Sequence, residues 1–539
     1  MRNTQWHTLT LSLSLSSLSL SLLSRQKKNP KGLFRKTTLD SYATDSPEWT
    51  TVLDIDALAK EDDISWVWKG STALPRSRDP LSNNGQRTTL SLLSLSRGGS
   101  DAVHIKEFDL LKGTFVKEEG DDENQQTPFV LPEAKTKASY KSRNVLLVGT
   151  DMGEGSLTDS GYARTVREWV RGTPLKDAPI VFEGERTDVS VGMYISDQRF
   201  RGGGLYEVRY RSITFYTSAY SARPVQYEHL LAPHEREEQG IVIDDPPDFV
   251  DVDIQDDASF DIVGKMLLVT LRSDWQPNKD GPTYAKGSVV YTDAETLLIK
   301  GSEACEYSVL FAPTPRTALD YYTATKNFVV VVTMDNVKNK MDFYRIVDEG
   351  SGLERVGGDN EPKIRSNSVS PVDPLLSDEF WFTTSGYTQP STLFLADASR
   401  VTEENDEEED FYVVKQLKSL PPQFNADELE VQQRTATSKD GTEVPYFMIW
   451  KKGTELNGKN PTLVYGYGGF EVSLGPHYVP TAGIAWLERG GVYVEAIIRG
   501  GGEFGPWWHQ VCCCCSGGCR SQTLGCLTIL SFALFQRRL

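Results

Sequence analysis

PTLVYGYGGFEVSLGPHY at residues 461–478 and AWLERGGVYVEAIIRGGGEFGPWWHQ at residues 485–510 are the stretches whose reading decides the fold. Each holds a short apolar run, 462–464 and 492–498, that ends in a glycine-rich turn, 466–469 and 500–505. Short apolar runs read as buried parallel strands, and tight turns behind them need residues that tolerate positive φ. In open α/β sheets, ligands bind at the carboxyl ends of the strands, where these two turns lie. The spacing therefore predicts strands at 462–465, in a central position, and at 492–498, with a candidate site at their mouths.

Immediately upstream, the runs 431–437 and 444–450 are joined by SKDGT, in which Asp440-Gly441 is a hairpin turn signal. Before them, LPPQF at 420–424 reads as a linker, because a double proline resists both helix and central strand. From residue 31 to 419 the pattern is uniform, with short β-branched or aromatic runs such as 145–148, 213–216, 266–271, 287–291, 328–333, 343–346, 379–383 and 392–396. Turn residues follow each run, and no helix-period stretch of comparable length intervenes. Regular short strands of this kind predict an all-β sandwich, barrel or propeller. A propeller at roughly 40–55 residues per blade would have about seven blades here.

Both ends read as foreign to this pattern. Residues 8–24 alternate Leu and Ser almost strictly, which fits a translated CT dinucleotide repeat, a strand, or a Ser-rich transit peptide with no acidic residue before Asp40. After Gln510 the chain changes to VCCCCSGGCRSQTLGCLTILSFALFQRRL, a sequence that fits no continuation of an α/β sheet. Six of the seven cysteines fall in the last 28 residues, leaving Cys305 alone in the body, as expected of a reducing compartment. Four adjacent cysteines with no CxxC pair are poor ligands for one tetrahedral ion, so no metal site is expected.

The chain has 539 residues, 39% hydrophobic and 10% aromatic, which suffices for two or three domains. Its net charge of −18 argues against nucleic acid or an anionic membrane as partner. Acidic runs at 119–123 and 403–410 read as solvated loops.

The stretch 461–510 resembles the opening of the α/β-hydrolase domain in the prolyl oligopeptidase family of serine peptidases. KGLFRKTTLDSY (31–42), SWVWKGS (65–71), SLSRGGSDAV (94–103), VGTDMGEGSLTDSGYAR (148–164), LFAPTPR (310–316) and SGYTQPSTLFLAD (385–397) resemble the propeller segments of that family. The resemblance implies a low-complexity extension over 1–30, a seven-bladed β-propeller over 31–419, the start of an α/β-hydrolase domain over 420–510, and an aberrant tail over 511–539. Family members begin with a helical segment where the Leu/Ser run stands here, so the first blade is expected to be incomplete.

The same resemblance assigns roles at the site. Tyr467, the second tyrosine of YGYGGF, matches an oxyanion donor, a task that a neutral phenol at a strand end suits. Phe470 matches an aromatic residue lining the primary specificity pocket. Gly468, Gly469, Arg499, Gly500, Gly501, Gly502 and Glu503 match structural loops beside the site, and Ile497 departs from the family's asparagine. Acyl transfer further needs a serine on a strand-to-helix elbow, a histidine and an acid. No G-x-S-x-G occurs: Ser516 follows Cys514 rather than glycine, and Ser100 is followed by Ala102. His477 and His509 both precede any position a hydrolase nucleophile would take. Residues 500–505 also spell GxGxxG, but with neither a helical pattern after it nor an acidic partner some twenty residues on, no dinucleotide cofactor is expected.

The expectation is thus a prolyl oligopeptidase-like endopeptidase for short peptides, present as an incomplete chain without the Ser/Asp/His triad and inactive as written. It needs no cofactor, and the cytosol is the expected compartment, with a plastid second. Cleavage after proline is the default, and the basic-residue-cleaving oligopeptidase B shares the architecture. The rival reading is a non-catalytic β-propeller that binds peptides or protein partners.

Overall fold

The computed structural model describes residues 7–14, 17–24, 28–79, 90–117, 127–401 and 410–514. The acidic runs 119–123 and 403–409, Ser516 and the tail from 515 onward lie outside the described residues. The chain divides into two compact units, Met1–Ala258 with Ala294–Cys305, and Ser259–Asp293 with Glu306–Leu539.

The first unit contains four antiparallel sheets in chain order. Their strands run consecutively from His7–Ser14 to Thr50–Asp54, Trp66–Ala73 to Val130–Ala134, Lys137–Ser142 to Ile180–Glu183, and Ser190–Asp197 to Val250–Asp251. Each runs strand beside next strand, as hairpin connections dictate, except that Val130–Ala134 pairs with Val103–Asp109 rather than with the strand before it. Neighbouring sheets share cores: Trp66 and Leu95 pack with Phe34 and Ile55, Phe129 and Leu131 with Leu146 and Trp169, and Leu147 and Val166 with Val191 and Leu205. Beneath the second of these cores, the Arg171 guanidinium forks onto the Glu107 carboxylate at 2.7 and 2.9 Å and lies 4.1 Å from the centre of the Phe129 ring. Tyr140 donates to the same carboxylate at 2.8 Å.

The Leu/Ser run, expected to stand outside the fold, is paired in the structure. His7–Ser14 and Ser17–Ser24 form a hairpin that sets Leu opposite Leu and Ser opposite Ser, and Ser17–Ser24 then pairs with Leu33–Thr38. The first sheet therefore has four strands and is not incomplete. Period-two alternation has supplied a strand pattern whatever its origin. Residues 213–216, expected as a strand, are instead a hairpin turn between Leu205–Ser212 and Ser218–Pro224. The Thr214 hydroxyl accepts from the amides of Tyr216 and Thr217, and Phe215 is 90% exposed at the tip. Local threonine capping has outweighed the β-propensity of an apolar tetrapeptide.

The second unit holds three further four-stranded antiparallel sheets, beginning at Ser259–Val263, Thr317–Ala324 and Ser366–Pro371, and then one mixed sheet. Val329 and Val331 pack against Leu268 and Val289, while Phe343 packs against Phe380 and Phe382. The last antiparallel sheet ends at Ser419, and the mixed sheet begins at Leu429, on either side of the double proline. The mixed sheet comprises the hairpin Leu429–Thr437 and Glu443–Lys451, then Val492–Ala496 antiparallel to the hairpin, then Thr462–Gly466 parallel to Val492–Ala496. Among the described residues no helix is long and apolar enough to cross a membrane.

Candidate active site

Val492–Ala496 is buried along its whole length, as its apolar sequence predicts. Thr462–Gly466 is not central: it is the edge of the sheet, and Leu463, Val464 and Tyr465 are exposed. An apolar run of three residues distinguishes a buried strand from a loop, but not an inner strand from an edge whose neighbour is missing from the pairing.

The two strands run parallel with Thr462 opposite Val492 and Gly466 opposite Ala496, so their glycine turns emerge side by side. The turns touch through backbone. A Cβ on Gly468 would lie 2.3 Å from the Arg499 carbonyl oxygen, one on Gly500 2.1 Å from the Gly468 carbonyl oxygen, and one on Gly502 2.4 Å from that of Glu471. Glycine is required here for close approach, and at Gly500 also for a φ of 103°.

Tyr467 stands on this platform, 37% exposed, with its phenol folded over Gly469. Phe470 is 75% exposed, and both it and Glu471 take left-handed backbone, φ 56° and 59°. Such conformations cost about 1–2 kcal/mol per L-residue and persist where the surroundings over-determine them. Here the Glu471 amide donates to the Gly500 carbonyl at 3.1 Å, the Val472 amide to Gly469 at 3.1 Å, and the Glu471 carboxylate pairs with Arg272.

Arg499 points away from this platform, onto the hairpin turn, where it pairs with Asp440 and reaches Ser438 Oγ at 3.2 Å. The guanidinium holds the Asp440 carboxyl well below the usual carboxylate range. Glu503 is fully buried, and its Oε1 accepts the Leu474 amide at 2.7 Å. Burial pushes its pKa up to about 7. Gly501 leaves room for that carboxylate, since a Cβ there would lie 2.2 Å from Glu503 Oε2.

Both histidines of this region are held at backbone carbonyls. His509 Nδ1 lies 2.9 Å from the Gly500 oxygen and His477 Nδ1 3.0 Å from that of Gly475. Ser100 sits in the turn between two antiparallel strands, bonded to the Ala102 carbonyl, and not on a strand-to-helix elbow. A helix, Pro506–Cys514, does follow the GxGxxG segment, contrary to the sequence expectation, and it carries the chain through 511 without a break. Two adjacent tryptophans and a cysteine run gave no apolar period by which to foresee it.

Sequence reasoning missed three residues. Glu495, in the buried strand, accepts from Tyr387 at 2.9 Å and Tyr493 at 3.3 Å, and burial raises its pKa. A lone acid inside VYVEAII was a visible signal for it. Arg272 and Glu471 meet only because the chain folds, 199 residues apart.

No protein-family model matches the chain. An uncharacterized peptidase, y4nA, of Sinorhizobium fredii is 34% identical over 490 residues, which cover 89% of this chain and 59% of that protein. A prolyl endopeptidase of Elizabethkingia meningoseptica is 38% identical over 132 residues, 24% of this chain and 17% of that one. Among solved structures, a post-proline cleaving enzyme from Rickettsia typhi superposes with a TM-score of 0.74 at 25% identity, over 91% of this chain and 65% of that one. The chain thus spans about three-fifths of the length of the Sinorhizobium fredii peptidase. The chain is thus similar along nearly all of its length to a peptidase in sequence and to a post-proline cleaving enzyme in fold, likenesses that set it beside the prolyl oligopeptidases.

Proposed function

We propose that this chain is the front part of a prolyl oligopeptidase-like serine endopeptidase acting on short peptides. Its seven antiparallel sheets are read as the blades of a propeller, and residues 420–510 as the opening of the hydrolase domain. The observation that carries the reading is the exposed Tyr467 phenol on two interlocked glycine turns at the ends of parallel strands. There it supplies a fixed neutral donor for a developing oxyanion, beside the open ring of Phe470 as one wall of a substrate pocket. Arg499 and Glu503 are buttresses of the loops.

A serine nucleophile and its base are needed to use that donor, and triad members act as a unit. No G-x-S-x-G occurs in these 539 residues, so the donor is assigned here without its nucleophile. The scarcity of cysteine in the body favours a reducing compartment.

The test is a fusion of residues 1–510 to the segment of a family peptidase that carries its serine nucleophile, assayed on a Gly-Pro-amide reporter. The unfused chain should show no hydrolysis. The fusion should hydrolyse the reporter and lose roughly 100-fold on Tyr467→Phe, the scale of one oxyanion donor. A folded but inactive fusion, or one indifferent to Tyr467→Phe, overturns the proposal.

A further inference from the structure

We propose that Arg272 is a positioning residue for the turn bearing Tyr467 and Phe470, latching it through Glu471 to the antiparallel sheet that begins at Ser259–Val263. The functional meaning rests on Tyr467 as oxyanion donor, whereas the latch itself is read from geometry.

Phe470 and Glu471 are consecutive non-glycine residues in left-handed backbone, and such a pair does not hold itself. One hold is internal, through the amides already described. The other comes from outside the turn. Arg272 lies two residues beyond the strand Met266–Thr270, and its guanidinium meets the Glu471 carboxylate, both side chains about one-fifth exposed (22% and 21%).

Arg272 is itself fixed. Its carbonyl accepts from the Gln510 side-chain amide at 3.1 Å, and Gln510 Oε1 accepts from Lys286 Nζ at 2.9 Å. Arg272 and Lys286 lie at the two ends of one hairpin loop, closed by Leu271 and Gly287 pairing at 2.7 Å. Gly287 lies against Pro506, at the start of the helix, where a Cβ would come 3.3 Å from the proline ring. One loop of an antiparallel sheet therefore grips both glycine turns, YGYGGF through Arg272–Glu471 and RGGGEFG through Lys286–Gln510 and Pro506. A shift of that sheet is carried to the Tyr467 phenol, so the aim of the donor depends on a contact outside the mixed sheet.

The experiment uses the full chain labelled with 3-fluorotyrosine, the Tyr467 resonance being assigned by its loss in Tyr467→Phe. Arg272→Met and Glu471→Gln should each displace that resonance and speed exchange of the Glu471 and Val472 amides roughly tenfold, the scale of one charge-assisted hydrogen bond. The double variant should do no more than either single one. Arg272→Lys, which keeps the charge, should restore most of the wild-type signal. It also serves as the informative variant should Arg272→Met not fold. An unmoved Tyr467 resonance in both single variants, or additive effects in the double, overturns the latch. Because no hydrolysis is measured, that result is independent of the fusion assay.

Discussion

Gly468 and Gly500 pack backbone against backbone so closely that neither position has room for a methyl group: one on Gly500 would meet the Gly468 carbonyl oxygen at 2.1 Å. The contact joins the turns of two parallel strands and sets the height of Tyr467 above them. Gly500→Ala adds overpacking to a φ of 103° and should destabilise the chain by about 3 kcal/mol. Gly468→Ala meets the overpacking alone and should cost less, about 2 kcal/mol. Urea unfolding of the two variants beside wild type checks both the size and the order.

Glu503 makes stability depend on pH near neutrality. Its folded pKa, about 7, is raised above the unfolded value of 4.5, so the native state binds the proton more tightly than the unfolded chain. Stability from this group is full below pH 4.5 and is lost as pH rises towards and through 7, by roughly 3 kcal/mol. Glu503→Gln should remove that slope and leave the variant more stable than wild type at pH 8. Equal slopes from pH 5 to 8 in both proteins would contradict this.

Glu107 and Arg171 form a pair buried on both sides, with 0% and 6% of the side chains exposed. Removing one partner strands a charge, whereas removing both does not. Glu107→Gln or Arg171→Met should each cost about 3–5 kcal/mol, and Glu107→Leu with Arg171→Met clearly less than their sum. Thermal unfolding of the three variants decides it.

The edge Thr462–Gly466 exposes Leu463, Val464 and Tyr465 beside a row of backbone groups, the arrangement that invites strand addition. The chain should self-associate with rising concentration, and Val464→Lys should suppress this without lowering the unfolding midpoint. Light scattering over a concentration series is the measurement. A monomer at all concentrations sinks the expectation.

Much of the fold was legible because its signals are local. Short apolar runs at 145–148 and 328–333 gave the strands at 145–149 and 328–335, and Asp440-Gly441 gave the hairpin of the mixed sheet. The glycine turns were legible as turns, and Tyr467 and Phe470 were singled out through the family resemblance alone. Lateral information was not. Whether 462–466 lies inside or at the edge of its sheet depends on which strands flank it, and no residue within it records that. The turn at 213–217 was misread because Ile, Phe and Tyr suit a strand, while the Thr214 hydroxyl, accepting from two amides, decided otherwise. The Arg272–Glu471 contact spans 199 positions and leaves no trace in either neighbourhood.

From Leu11 to its turn, the hairpin His7–Ser14 and Ser17–Ser24 sets Leu against Leu and Ser against Ser. Because strand faces repeat every two residues, inserting or deleting one Leu-Ser unit in each arm preserves every facing pair and changes only how far the hairpin reaches. A change of copy number in such a tract therefore leaves the remainder of its sheet, from Leu33 onward, facing residues of the same kind.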